Sequence, residues 1–235
     1  MTTGVTAMAQ SKSRNKIQLV IFDLDGTLIN AYPAICKSFN FAMKHMGYSR
    51  VNHKTICRKV GWGEWNLIRP FVASADLEKT ISIYRTHHRE AIKTGTRLLP
   101  GARQILRWLK DRRYKIAVAS NRSTRSSRLI IKHLKIAKYF DYVLCGDKVK
   151  KAKPHADILK QILKKFSLRP RQALYVGDMT IDIQTGKSAK VKTVAVVTGS
   201  STKREIERLE PLKAIFNIFS LSDIIGKEKT QINHQ

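Results

Sequence analysis

Acidic residues are scarce in this chain: 17 aspartates and glutamates stand against 45 lysines and arginines among 235 residues, a formal net charge of +28. Such a balance points to polyanionic partners, anionic surfaces or anionic substrates, and says nothing about fold. Cysteine is scarce too. Cys36, Cys57 and Cys145 are odd in number and widely spaced, with no CxxC and no Cys/His cluster. Neither a disulfide framework nor a zinc site is therefore signalled, and a cytoplasmic location is expected. Long apolar runs are missing: none approaches the roughly 18 residues that a membrane helix requires. The opening MTTGVTAMAQSKSRNK lacks the apolar stretch of a signal peptide. No membrane association is expected, and residues 1–16 read as a polar, flexible tail in which Met8 is an alternative start. Repeats and low-complexity tracts are absent as well.

What is present is enough apolar material, 43% of the chain, for one large domain or a domain with a smaller insert. Short β-rich runs alternate with longer stretches of helical spacing. The predicted strands are residues 17–22, 115–120, 142–145, 173–177, 193–197 and 214–219. The predicted helices are residues 102–112, 124–135, 156–166 and 182–190, where apolar residues recur at i, i+3 and i+4. The pattern is that of an α/β protein, a Rossmann-like and mostly parallel sheet flanked by helices. From Ala31 to Arg97 no strand-like run occurs, and several helices are punctuated at Gly47, Gly61, Gly63 and Pro70. That is far more than one crossover needs. The expected organisation is a catalytic core over 17–30 and 98–226, a helical insert over 31–97 and a C-terminal tail over 227–235, with hinges near Asn30 and Leu99–Gly101.

Four of the few acids sit in two tight pairs, each directly after a predicted strand: Asp23 with Asp25, and Asp178 with Asp182. In a parallel α/β sheet the carboxyl ends of the strands are where ligands bind, so both pairs are expected in one crevice. So much negative charge in a low-dielectric crevice needs a proton or a cation to offset it, most naturally Mg²⁺ with oxygen ligands. The plain alternatives are an Asp-Gly turn for the first pair and a capping aspartate with a helix-dipole acid for the second.

These residues carry a resemblance. FDLDGTL (22–28) resembles the first motif of the haloacid dehalogenase superfamily of aspartate-nucleophile phosphotransferases. VASN (118–121), KAKPHADIL (151–159) and VGDMTID (176–182) resemble the second, third and fourth, in the expected order. Within the superfamily the likeness is to phosphoglycolate phosphatases. VGWGEWNLI (60–68) is similar to the Gly-rich, substrate-contacting turn of their helical cap, which places the cap in the strand-free insert.

The resemblance implies a fold, a reaction and a set of roles. Asp23 is the nucleophile that forms an aspartyl phosphate, and Asp25 the acid and base, held where a proton is retained. Ser120 and the Asn121 backbone amide donate to the phosphoryl oxygens, and Lys153 supplies a fixed positive charge. Mg²⁺ is held by the Asp23 carboxylate, the Asp25 carbonyl and Asp178, with Asp182 supporting it or pairing with Lys153. Gly26 and Thr27 shape the phosphate loop, while Arg122, Trp62 and Gly63 line the substrate side. Asn30, Arg122, Gly186 and Lys190 depart from the family pattern. Lys190 replaces a helix-ending glycine, at a cost of roughly 1 kcal/mol if it is left-handed.

Other features read plainly. His87 and His88 are expected on a solvated face of an insert helix, and His155 either contacts substrate or starts a helix. Between Arg112 and Phe140 nine lysines and arginines occur with no acid, a rim that would draw in anions. The expected activity is a Mg²⁺-dependent phosphomonoester hydrolase acting on a small phosphorylated substrate, as monomer or homodimer. The alternatives are a pyrophosphatase, nucleotidase, sugar-phosphate phosphatase or phosphomutase of the same superfamily, or a non-enzymatic basic adaptor. Nucleic-acid binding is not favoured, since no such module is visible.

Overall fold

The computed structural model describes residues 16–230; most of the expected N-terminal tail, including Met8, and residues 231–235 lie outside the described residues. In chain order the strands are β1 (Leu19–Phe22), β2 (Ile29–Asn30), β3 (Arg97–Leu98), β4 (Lys115–Ser120), β5 (Tyr142–Cys145), β6 (Ala173–Gly177), β7 (Lys192–Val196) and β8 (Lys213–Ile215). The helices are α1 (Tyr32–His45), α2 (His53–Cys57), α3 (Glu64–Ile68), α4 (Leu77–Gly95), α5 (Ala102–Asp111), α6 (Thr124–His133), α7 (Asp157–Phe166), α8 (Thr180–Ala189), α9 (Lys203–Glu207) and α10 (Leu221–Thr230). Six strands form one sheet in the order β5-β4-β1-β6-β7-β8, every neighbouring pair parallel.

The central strands are apolar on both sides because both faces of the sheet are covered. Alternation along β1 sends Val20 and Phe22 into one cluster and Leu19 and Ile21 into another. The first cluster is shared with α5, whose Ala102, Ile105, Leu106 and Leu109 form its buried stripe, and the second with Ile158, Leu159 and Ile162 of α7.

Residues 32–95 hold the helices expected there. α1 and α4 bury their facing stripes, Phe39 and Met43 against Ile81 and Ile92, in the same cluster that holds Phe22 and Val118. Both chain crossings into this segment lie side by side, since Ile29 pairs with Leu98 and Asn30 with Arg97 in an antiparallel ribbon. Pro70 sits in a single 3₁₀ turn, Arg69–Phe71.

Two boundaries differ from expectation for visible reasons. The last strand stops at Ile215, because the Asn217 carboxamide accepts from the Phe219 amide at 2.9 Å and curls residues 218–220 into a 3₁₀ turn. The final helix continues to Thr230, past the residue 227 at which a tail was expected. Lys190 ends α8 in the left-handed region, φ 58°.

Candidate active site

Parallel pairing of β1 with β6 aligns Phe22 with Val176, so both strands release their following residues at one edge. Asp23 leaves β1 there, its amide bonded to the Val176 carbonyl at 2.9 Å, and Asp178 follows β6. One turn into α8, Asp182 points back at them. The carboxylate oxygens of Asp23, Asp178 and Asp182 lie within 4.8 Å of one another, and all three side chains are buried.

Three surrounding groups offset part of this charge. Lys153, itself buried, stands 2.7 Å from Asp182 Oδ1 and 2.9 Å from Asp23 Oδ1. Tyr175 donates its hydroxyl to Asp182 Oδ1 at 2.7 Å, and Thr27 donates to Asp178 Oδ1 at 2.8 Å. The other Asp182 oxygen accepts from the Met179 amide at the start of α8 at 3.1 Å, so one side chain both caps a helix and pairs with Lys153. Burial acts to lower the Lys153 ammonium, but the Asp182 and Asp23 carboxylates override it and hold the group well above a lysine's ordinary value. Burial, then the neighbouring Asp182 and Asp25, push Asp23 up to about 7 against the pull of Lys153. Burial and the Asp182 and Asp23 charges likewise raise Asp178.

The donor set fits a small hard cation. Asp178 Oδ2 is buried with no hydrogen-bond partner. Asp23 Oδ1 is at ion-pair distance from Lys153, yet no donor is aligned on it as a hydrogen bond. Gly26 (φ 79°) and Gly199 pass so close that a Cβ on either would collide with the Asp178 carboxylate. Oxygen-only ligands of this kind suit Mg²⁺.

Asp25 turns away from the trio. Arg122 grips it bidentately, Nε to Oδ2 at 2.5 Å and Nη2 to Oδ1 at 2.9 Å. The guanidinium fork thus occupies both Asp25 oxygens with charge-assisted hydrogen bonds. Arg122 Nη1 reaches Ser126 Oγ at 2.8 Å and His88 Nε2 at 3.1 Å. His88 is therefore not on a solvated face: it is buried, stacked on Tyr84, and faces Ser38 Oγ with Nδ1 at 3.2 Å. Since Ser38 donates to the Ala34 carbonyl at 2.8 Å, the ring proton belongs on Nδ1 and the Nε2 lone pair faces Arg122. Burial, then the Arg122 charge, lower His88 to about 3. His87, half-buried, stacks on Phe41 with ring centroids 4.1 Å apart.

A cavity of about 590 Å³ opens from these groups between α4 and α6, with Asp23, Asp25, Ser120, Arg122, His88 and Gly63 in its lining. Ser120 ends β4 and is buried. The Asn121 carboxamide donates to the carbonyls of Gly61 at 2.9 Å and Lys153 at 3.1 Å and accepts from the Lys153 amide at 2.9 Å. It thus ties the loop of the helical segment to the lysine loop. Trp62 lies outside the lining and is 38% exposed. His155 is exposed just ahead of α7. Lys59, Arg125, Arg128 and Lys132 ring the mouth.

His88, Tyr175 and the Asn121 side chain escaped the sequence reading, because their roles depend on tertiary neighbours. Cys36 and Cys57, 21 residues apart, meet His53 when α1 packs on α2, a Cys/His grouping in space that linear spacing does not show.

The model of the haloacid dehalogenase-like hydrolases matches residues 20–196 of this chain. A curated phosphoglycolate phosphatase of Pseudomonas fluorescens is 28% identical over 87% of this chain and 78% of its own length. The pyrophosphatase PpaX of Bacillus mycoides is 30% identical over 89% and 96% respectively. Among solved structures, a predicted phosphoglycolate phosphatase from Haemophilus somnus superposes with a TM-score of 0.85 at 25% identity, covering 88% of this chain and 97% of that one.

Proposed function

The chain belongs to the haloacid dehalogenase-like hydrolases, and from that premise we propose that it is a Mg²⁺-dependent phosphomonoester hydrolase working through an aspartyl phosphate on Asp23. The observation that carries this is the buried trio of Asp23, Asp178 and Asp182 with Lys153 2.9 Å from Asp23. A binding surface has no need to bury three carboxylates around one lysine, which counts against the adaptor reading.

Asp23, Asp178 and the Asp25 carbonyl hold the metal in this reading, with Asp182 supporting it through Lys153. When bound, the ion offsets the trio's charge, keeps Asp23 ionised and draws charge off the phosphoryl oxygens. An Asp23 oxygen attacks phosphorus, the ester P–O bond breaks, and Asp25 gives the leaving oxygen its proton. Water then attacks the phosphoaspartate, Asp25 takes the water's proton, and phosphate departs. Ser120, the Asn121 amide and Lys153 hold the non-bridging oxygens, and Gly26 and Thr27 shape the loop beneath them.

The Arg122 grip on Asp25 suits the second step, in which Asp25 is a base. For the first, Arg122 exchanges the carboxylate for an anionic group on the substrate, and Asp25 is freed to carry a proton. The helices of residues 31–97 act as a cap over that exchange, with Gly63 and Trp62 at its rim. 2-Phosphoglycolate, whose carboxylate offers Arg122 such a group, is the first substrate to try; the name of the Bacillus mycoides relative makes pyrophosphate the second. A cytoplasmic location belongs to the same proposal, supported by three free thiols. No helix of the described residues is long and apolar enough to cross a membrane.

The test is hydrolysis of 2-phosphoglycolate, pyrophosphate and a chromogenic phosphomonoester, with Mg²⁺ and with chelator. Activity should require the metal and fall at least about 1,000-fold in Asp23→Asn. A wild-type protein with no metal-dependent activity across a broad ester panel would overturn the reading.

A further inference from the structure

Cys36, His53 and Cys57 form a second cluster of metal-ligating groups, separate from the acidic trio. Cys36 is buried on α1, whereas His53 and Cys57 stand four residues apart on one face of α2, exposed and half-buried respectively. The two sulfurs are 3.9 Å apart, and Cys57 Sγ lies 3.5 Å from His53 Nδ1 and 3.6 Å from Nε2. Zinc bonds of about 2.3 Å to sulfur and about 2.0 Å to nitrogen, at a tetrahedral centre, put two sulfurs about 3.8 Å apart and a sulfur and a nitrogen about 3.6 Å apart. The sulfur pair and the Cys57–His53 pair already stand at those separations, and all three ligand atoms lie within 4.8 Å of one another. Both imidazole nitrogens are nearly equidistant from the sulfur, so a turn of the exposed ring brings either lone pair onto a common centre.

The local fold gives such an ion a purpose. α2 has five residues and only Ile56 buried, well short of the roughly 12 that make a free-standing helix stable. Its one visible cap is Asn52, which accepts from the Thr55 amide at 2.9 Å. Yet the segment that follows reaches across to the sheet edge, where Arg58 donates to the Ser200 carbonyl at 2.7 Å and Gly61 accepts from Asn121 at 2.9 Å. Ile56 packs into the cluster that holds Phe39 of α1, and an ion on the three side chains would add a second fastening at the root of that segment.

We propose that Cys36, His53 and Cys57 bind one zinc ion that fastens α2 to α1, with solvent as fourth ligand. Binding exchanges two thiol protons for the metal: Zn²⁺ is held by two thiolates and a neutral imidazole, and two protons pass to solvent. Soft sulfur ligands separate this site from the oxygen-only trio, so Mg²⁺ does not compete for it.

The experiment uses the full chain, reduced, with excess Mg²⁺ present to occupy the acidic site. Zinc is quantified per chain after desalting, and Cd²⁺ titration is followed through the ultraviolet thiolate-to-cadmium charge-transfer band. One equivalent of zinc and a two-thiolate band are expected in wild type, Asp178→Asn and Cys145→Ser. Zinc should fall below a tenth of an equivalent and the band at least halve in Cys57→Ser. The surface variant His53→Ala should weaken zinc at least tenfold and guards against a Cys57 variant that fails to fold. Sub-stoichiometric zinc in wild type, an unchanged band in Cys57→Ser, or a mass two hydrogens short from a Cys36–Cys57 disulfide would each overturn the proposal. None of these readouts depends on phosphatase activity.

Discussion

Arg122 connects Asp25, the proposed acid and base, to the helical segment, and its neighbour His88 is the side chain whose loss reports that connection. Without the Nε2 acceptor the guanidinium loses one of its fixed partners, and His88→Ala should lower kcat about tenfold on the preferred ester with a smaller change in KM. His88→Gln, which still offers a carbonyl acceptor, should recover much of the rate. His88 also predicts a pH dependence of stability. Its folded value, about 3, lies below the ordinary 6.5, so below pH 6.5 the unfolded chain takes up a proton that the folded chain refuses. Stability therefore falls with acidification from 6.5 toward 3, by up to about 1.4 kcal/mol per pH unit from this group. Chemical denaturation across that range should show a shallower decline in His88→Gln. Asp23, Asp178 and Asp182 were legible in the sequence, because strand ends in a parallel sheet converge and helix spacing returns Asp182 to the same point. The pairing of Arg122 with Asp25 was not, since 97 residues separate them and only packing brings the fork to the carboxylate.

At the scale of elements, hydrophobic spacing gave the strands and the helices that flank them nearly to the residue, as in β4 over 115–120 and β5 over 142–145. What it could not give is where side chains compete with the ladder, as Asn217 does beyond β8. The end of α8 allows a measurement. Lys190, at φ 58°, occupies a conformation that costs an L-residue about 1 kcal/mol, whereas glycine adopts it freely but loses more freedom on folding. The first effect exceeds the second by a few tenths, so Lys190→Gly should raise the unfolding free energy by about 0.5 kcal/mol in denaturant titration. The α2 helix is the opposite case, an element too short to be secured by its own spacing.

For the molecule as a whole, a charge of +28 on 235 residues makes stability responsive to anions, whereas the buried acidic trio makes it responsive to a divalent cation. Mg²⁺ at about 100 times its dissociation constant should add about 2.7 kcal/mol, a rise in Tm of roughly 5–10 °C. Asp178→Asn should abolish that rise while leaving the response to phosphate at the basic mouth. The two-residue ribbon of Ile29–Asn30 against Arg97–Leu98 bears on descent and on engineering alike. Because the chain departs and returns at adjacent rungs, everything between could be exchanged for a foreign cassette, or for a tight turn, without rethreading the six parallel strands. A lineage, or a laboratory, can in this way change one wall of the cavity while the strands that carry the aspartates keep their places.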